Sequence, residues 1–444
     1  MSTMRLIDPR SDTDLQSFAW LSKAGELSTH AREGFKAVAP ERLPEHAPVS
    51  EYAGEYTGKY TGEYWIVPAL VDLYARLREP GAPQKATIKS EALAARSAGI
   101  SVIACAPDTE PCIDSTAVVE LIRNRARGAF RAGGARVLPL GAMSKGLRGE
   151  ELSEYAGLTA AGCAALSSGS APMCNSNFLR RAMQYAKNFN VTLFLHPLDK
   201  YLSEDGVAHD GRVAARLGLP GIPESAETLA LARDLMLAEE TGVRAHISRI
   251  SCARSVELIA NAKQRGTSVT CDVALTHLFL CENDLMGFRP NTHLRPPLRR
   301  AEDRDALREG LRTGVIDAIC SDHAPHDRDA KIAPFPMTEP GASTLEALLP
   351  LSLQLIDDGV LTPKRWVEVI STNPARILGI AQNDWLLLAR HQRVRQTSEG
   401  TLSRGKNLVF SGWELEGVAQ QVFFAMPSMP ERFEPLGSLE FYAN

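Results

Sequence analysis

From Tyr64 onward, short apolar or β-branched runs alternate with longer stretches whose apolar residues recur at spacings of three and four. The first pattern predicts buried strands and the second amphipathic helices; their alternation predicts repeated βα units around a parallel sheet. Eight strand-like runs are legible: Trp65–Leu73, Ile100–Ala106, Ala135–Gly141, Ala164–Ser167, Val191–His196, Val243–Ser248, Ser268–Val273 and Val315–Ser321. Between them, Asn177–Phe189, Ala226–Glu240, Ala253–Arg265 and Ala301–Thr313 carry the helical period. Eight strands with intervening helices fit a closed (β/α)8 barrel of the TIM type. An open doubly wound sheet has the same local pattern, but no GxGxxG follows the first strand, so its nucleotide-binding version loses weight.

The chain ends break this rhythm and predict a small β-rich satellite. Residues 1–64 would form its N-terminal part, 65–380 the barrel, 381–399 an insertion or linker, and 400–444 the C-terminal part of the satellite. Met4–Pro9, Lys406–Trp413 and Gln420–Met426 read as strands. The stretch EYAGEYTGKYTGEY, residues 51–64, places a tyrosine at every fourth position. A helical tyrosine stripe is one reading. The glycines within the run each disfavour helix by about 1 kcal/mol, which favours an irregular or strand-like segment, with contact to a partner as its functional reading.

Composition sets outer limits. With 444 residues, 44% hydrophobic and 23% charged, the chain can bury an extensive core. A net charge of -4 argues against a nucleic-acid partner. No uninterrupted apolar stretch of about 18 residues predicts a membrane span, and the N-terminus lacks a leader pattern, so a cytoplasmic protein is expected. Eight scattered cysteines without CxxC spacing read as free, mostly buried thiols.

Chemistry in such barrels sits at the C-terminal strand ends. There the residues become distinctive: LREPG (77–81), KGLRGEEL (145–152), ARLGLPGIP (215–223), RDLMLAEETG (233–242), SVELI (255–259), PPLR (296–299), IDAICSDHAPH (316–326) and STNPARILGI (371–380). In this order they resemble the dihydroorotase family of cyclic amidohydrolases, from about Ile66 to Ile380. The resemblance implies a metal-dependent amidohydrolase barrel with a β-sandwich built from both chain ends. It also implies a hydrolysis in which a divalent cation lowers the pKa of water from about 16 to about 7, with an aspartate after strand eight moving the proton.

Most of the ligand positions that the resemblance points to hold other residues. Tyr74 and Arg76 stand where the family has its His-x-His pair, Gly169 where it has an aspartate in an SDDG-like turn, and Arg249 where it has a histidine after strand six. His196 and the proton-shuttling Asp322 match the family pattern. Arg78 and His326 match its substrate-binding positions, whereas Asp108 and Arg295 replace asparagines. Two ligands do not hold a catalytic zinc, and two guanidiniums, which do not deprotonate in proteins, would bring fixed positive charge into the cation's place. A carboxylate at 108 should repel a dicarboxylate-like substrate.

His196, Asp322, His323 and His326 read either as a remnant site or as residues held by strand-end hydrogen bonds. Arg76 and Arg249 read as an anion site or, more simply, as partners of Asp322 that replace the metal's charge. The expectation is therefore a non-catalytic, oligomeric dihydroorotase-like subunit that needs no cofactor and associates with aspartate carbamoyltransferase, as inactive chains of the family do. The alternative is an active cyclic amidohydrolase that binds zinc through a different arrangement of His196, His323, His326 and Asp322.

Overall fold

The computed structural model describes residues 64–425, together with the backbone of three short strands near the N-terminus, Met4–Leu6, Ala19–Leu21 and Leu27–Thr29. Eight parallel strands follow one another around a barrel: β1 Leu70–Ala75, β2 Ile100–Cys105, β3 Arg136–Ala142, β4 Ala165–Ser167, β5 Leu193–Leu195, β6 Ala245–Ile247, β7 Val269–Ala274 and β8 Ala318–Cys320. Each pairs with its sequence neighbour. The ring is completed between β8 and β1, where Ala75 bridges His323 in parallel, the Arg76 amide donates to the His323 carbonyl at 2.8 Å, and the buried Asp72 carboxylate accepts from the Ser321 amide at 2.8 Å. A carboxylate thus supplies an acceptor where regular strand pairing runs out.

The helices on the outer ring are α1 Ile88–Ser97, α2 Thr116–Arg131, α3 Tyr155–Ala160, α4 Ser176–Asn188, α5 Ser225–Thr241, α6 Ala253–Gln264, α7 Ala301–Thr313 and α8 Leu345–Asp357. Their buried faces are apolar: α4, for example, buries Phe178, Leu179, Ala182, Met183 and Ala186 against the barrel. The four helices expected from periodicity all appear, with ends shifted by a residue at most, because an apolar stripe must face the sheet to be removed from water. Caps fix several starts, as where Asn175 accepts from the Phe178 amide at 3.0 Å.

The satellite departs from expectation at three places. Trp65–Leu73 is not one strand: Tyr64–Pro68 belongs to the satellite sheet, and β1 begins at Leu70. Pro68 has no N–H to donate, and the Ala69 amide turns aside to the Asp384 carbonyl at 2.9 Å. Residues 381–399, expected as an insertion or linker, contain the longest strand among the described residues, Trp385–Arg395, which pairs antiparallel with both Tyr64–Pro68 and Glu414–Phe423. Lys406–Trp413 is not a strand but loop and turn, apart from a single bridge between Leu408 and Ser343. Its apolar run is buried as a plug, and Asn407 bonds the His326 amide and the Ala324 and Gly341 carbonyls. Met4–Leu6 pairs parallel with Tyr64–Ile66, and Gln420–Phe423 falls inside the last strand. The Tyr/Gly repeat lies outside the described residues except for Tyr64.

The cysteines are all free; six are buried, Cys112 is half-buried and Cys174 is exposed.

Candidate functional site: a guanidinium-filled barrel mouth

Tyr74 and Arg76 emerge from the end of β1, Ser167–Ser170 from β4, His196 from β5, Arg249 after β6 and Asp322 after β8, so the barrel brings together the positions singled out above. Arg249 is fully buried. Its Nη1 donates to Asp322 Oδ1 at 3.1 Å and its Nη2 to the Gly169 carbonyl at 3.1 Å, while the guanidinium carbon lies 3.9 Å from the Tyr74 ring centroid. Arg76 Nε donates to Asp108 Oδ2 at 2.7 Å, its Nη2 to Ser170 Oγ, and its Nη1 stands 3.5 Å from the same Asp322 oxygen. Two arginines and two aspartates therefore balance their charge at the centre of the mouth, with a buried aromatic face against both cations.

The backbone is built to aim these groups. Arg249 and Asp322 both adopt left-handed conformations, with φ of 58° and 46°, which non-glycine residues hold only where the surroundings over-determine them. For Arg249 the restraint is visible: its amide donates to Asp272 Oδ1 at 2.6 Å, and the other Asp272 oxygen meets His246 Nε2 at 2.8 Å. Gly169 has φ 66° and offers only its carbonyl.

The electrostatics follow from burial and pairing. Burial disfavours charge on Arg76, but Asp108, Tyr74 and Asp322 outweigh it and hold the guanidinium protonated. Burial likewise opposes ionisation of Asp108, and Arg76 more than compensates, keeping its carboxyl below the usual range. His196 is driven well below 6.5 by burial and then by Arg249. Its Nδ1 lies 3.3 Å from the Ser248 carbonyl, so the ring donates there and leaves an unprotonated, buried Nε2 with no partner among the described residues.

The remaining candidates point elsewhere. Arg78, at φ 59°, donates from Nε to the Pro325 carbonyl at 3.1 Å and approaches His326 Nε2 at 2.9 Å. Burial, then the cations Arg78, Lys331 and Lys85, push His326 down to about 2. His323 is committed to Glu91 at 2.8 Å and to the Thr344 amide at 3.1 Å, and Arg295 donates to the Gly206 carbonyl at 3.3 Å. The four-residue set His196, His323, His326 and Asp322 thus does not converge, because strand-end packing turns His323 outward to α1 and His326 toward Arg78. Among the described residues, no group of three or more His, Cys, Asp or Glu side chains is placed to hold a metal ion. The residues present do not fit the family's metal.

Sequence reasoning anticipated the pairing of Asp322 with the arginines but not the capture of Asp108 by Arg76, nor Ser170, Tyr74 as a cation platform, or the His246–Asp272 pair. Opposite charges replacing neutral or ligand residues at 76 and 108 were the available signal for the first.

An eight-stranded barrel with strand-end polar residues and a satellite sheet from the chain ends defines the amidohydrolase class of TIM barrels. A dihydroorotase-like family model matches residues 64–255. A "Dihydroorotase-like protein" of Pseudomonas putida is 45% identical over 360 residues, 80% of this chain and 84% of that protein. A "Dihydroorotase" of Caldanaerobacter subterraneus subsp. tengcongensis is 41% identical over 364 residues, 80% and 84% of the two chains. The chain belongs to the dihydroorotase-like family. Its fold matches the L-hydantoinase (dihydropyrimidinase) of Arthrobacter aurescens with a TM-score of 0.72 at 20% identity, over 94% of this chain and 92% of that one. It also matches dihydroorotase of Saccharomyces cerevisiae with a TM-score of 0.64 at 16% identity, over 81% and 98%.

Proposed function

We propose that this chain is a catalytically inactive dihydroorotase-like subunit of pyrimidine biosynthesis that serves as a structural partner of aspartate carbamoyltransferase in a cytoplasmic oligomer. The observation that carries the reading is Arg249: a fully buried guanidinium, at a position where the family has a metal ligand, is paired with Asp322 at 3.1 Å. A dication placed beside it and Arg76 would meet two fixed positive charges at short range in a poorly solvated site, a repulsion of several kcal/mol on any realistic dielectric. Without a cation the hydrolytic water has no activator, and Asp322, engaged by Arg249, does not serve as a free base. Partnership with the carbamoyltransferase follows from the resemblance to inactive chains of the family. No helix among the described residues is long and apolar enough to cross a membrane.

The test is to purify the chain, measure bound zinc and dihydroorotate hydrolysis, and co-express it with aspartate carbamoyltransferase. The expected outcome is no stoichiometric metal, no turnover and co-purification at fixed stoichiometry. Turnover with one or more zinc ions per chain would establish the second reading, an active cyclic amidohydrolase with an altered site. Relatives named dihydroorotase at 41% identity favour that reading.

A further inference from the structure

The loop that follows β8, residues 327–341, is fixed from below and apolar above. Phe335 is buried and stacks on His293 at 5.1 Å, His293 Nδ1 meets Thr338 Oγ1 at 2.8 Å, and the Gly341 amide donates to the His293 carbonyl at 2.8 Å. Ile332 and Met337 in the same loop are nonetheless 75% and 74% exposed, more than any other large apolar side chain among the described residues. The adjoining loop is joined to it where Lys331 Nζ donates to the Pro290 carbonyl at 3.2 Å. There Phe288 is half-exposed at φ 53°, a left-handed conformation that bulky residues rarely adopt. A loop pinned by its own core while showing apolar side chains to water is preorganised for a contact.

The same rim holds positive charge that the chain leaves unbalanced. Lys331 donates to the Pro290 and Glu339 carbonyls, Arg78 to the Pro325 carbonyl and Arg295 to the Gly206 carbonyl; none of the three is in an ion pair among the described residues. The imidazoles they act on are neutral, since burial and nearby cations lower His293 to about 4 and His326 to about 2. Burial also lowers Lys331 to about 8 and Arg78 to about 10; neighbouring cations add to the shift and Glu339 opposes it in both. Glu339 is itself held by Lys85 at 2.5 Å, and Asp108, the other carboxylate acting on Arg78, is bonded to Arg76 at 2.7 Å. A partly buried cation without a carboxylate is stabilised by any anion brought to it. A second exposed apolar stripe, Leu229 and Met236 on α5 at 59% and 68%, lacks this feature. Its flanking charges are closed in the pairs Arg180–Glu240 at 2.7 Å and Arg265–Glu239 at 3.0 Å.

We propose that the rim formed by residues 286–290 and 331–337 is the contact surface for the partner protein, and that it receives a segment presenting a carboxylate among apolar side chains. The carboxylate sits on Lys331 and Arg78, and the apolar groups on Ile332, Met337 and Phe288. The assignment rests on the partnership with aspartate carbamoyltransferase proposed above and adds where and by what chemistry it is made.

The test uses the purified full chain and the aspartate carbamoyltransferase catalytic chain, with the dissociation constant read by interferometry and the mass of the assembly by light scattering. Ile332→Asp/Met337→Asp should raise Kd about thirtyfold. Lys331→Gln should raise it about tenfold and weaken its dependence on salt. Leu229→Asp/Met236→Asp on α5 should stay within about twofold of the parent. Melting temperatures of the two aspartate pairs should match the parent's, because the substituted side chains are exposed. An assembly that forms but ignores the rim substitutions, or is broken by the α5 pair instead, overturns the rim as the contact and leaves the partnership standing. The absence of any assembly overturns both. Self-association of the chain alone that Ile332→Asp/Met337→Asp abolishes assigns the surface to a second copy and overturns the proposal as well.

Discussion

Asp322 Oδ1 accepts from one guanidinium at 3.1 Å and faces another at 3.5 Å, and the stability of the mouth depends on keeping both halves of this arrangement. Removing one partner of a buried pair leaves an uncompensated charge and costs about 3–5 kcal/mol, whereas replacing the whole set by apolar groups is often close to neutral. Arg249→Leu should therefore destabilise the chain by roughly 3 kcal/mol. Asp322→Leu should cost a similar amount, and the double variant clearly less than the sum; urea midpoints of the three variants measure this directly. Additive losses would mean that the pair is two independent side chains. The positions Tyr74, Arg76, Gly169 and Arg249 were legible in the sequence because each interrupts a recognisable motif. Their partners were not: Asp108 lies 32 residues from Arg76, and only barrel closure decides which carboxylate each guanidinium meets.

The elements that hold the site were legible to different degrees for a physical reason. Barrel helices advertise themselves by a stripe that repeats over three or four turns, and buried parallel strands by continuous apolar runs. The satellite strand Trp385–Arg395 combines a buried half, LLLA, with an arginine-rich half, so its sequence reads partly as core and partly as surface. That mixture is why the sequence alone suggests an insertion there. The satellite is joined to the barrel through α8, and Gly417 is the tightest point. At φ 107°, a Cβ there would come within 2.3 Å of Leu353 Cδ1 on α8. Gly417→Val should cost about 2–4 kcal/mol through backbone strain and overpacking together. Leu353→Ala in the same chain should relieve the clash but not the strain. Thermal unfolding of the two variants separates these parts, and a Gly417→Val chain as stable as the parent would remove α8 packing as the reason for the glycine.

At the scale of the whole molecule, a barrel closed by its own guanidiniums should owe nothing to divalent ions. Adding a chelator, or zinc at modest excess, should leave its melting temperature unchanged, since a ligand shifts stability only by its preference for the folded state. Protons, in contrast, should matter. His209 and His293 are lowered to about 4, by burial together with Arg299 and Lys331 respectively, and His326 to about 2 by burial and Arg78; His196 moves in the same direction. Below pH 6.5 the unfolded chain takes up protons on these four rings that the folded chain refuses, so stability falls as pH drops, down to the folded values. Asp72 and Asp234, raised by burial to about 6, act with the opposite sign between pH 6 and 3.8, because the folded chain binds their protons first. His277, also lowered by burial, joins the first set and Glu346, also raised by burial, the second. The lowered rings stay in the majority, so stability falls as pH drops near pH 5, by about 1.4 kcal/mol per pH unit for each proton of the difference. Urea midpoints between pH 7 and 4.5 measure the slope, and His293→Gln, which removes one of the lowered rings, should reduce it by about 1.4 kcal/mol per unit. A stability profile flat through this window would mean that the buried rings are protonated in the folded chain, and that the mouth carries more positive charge than its two aspartates balance.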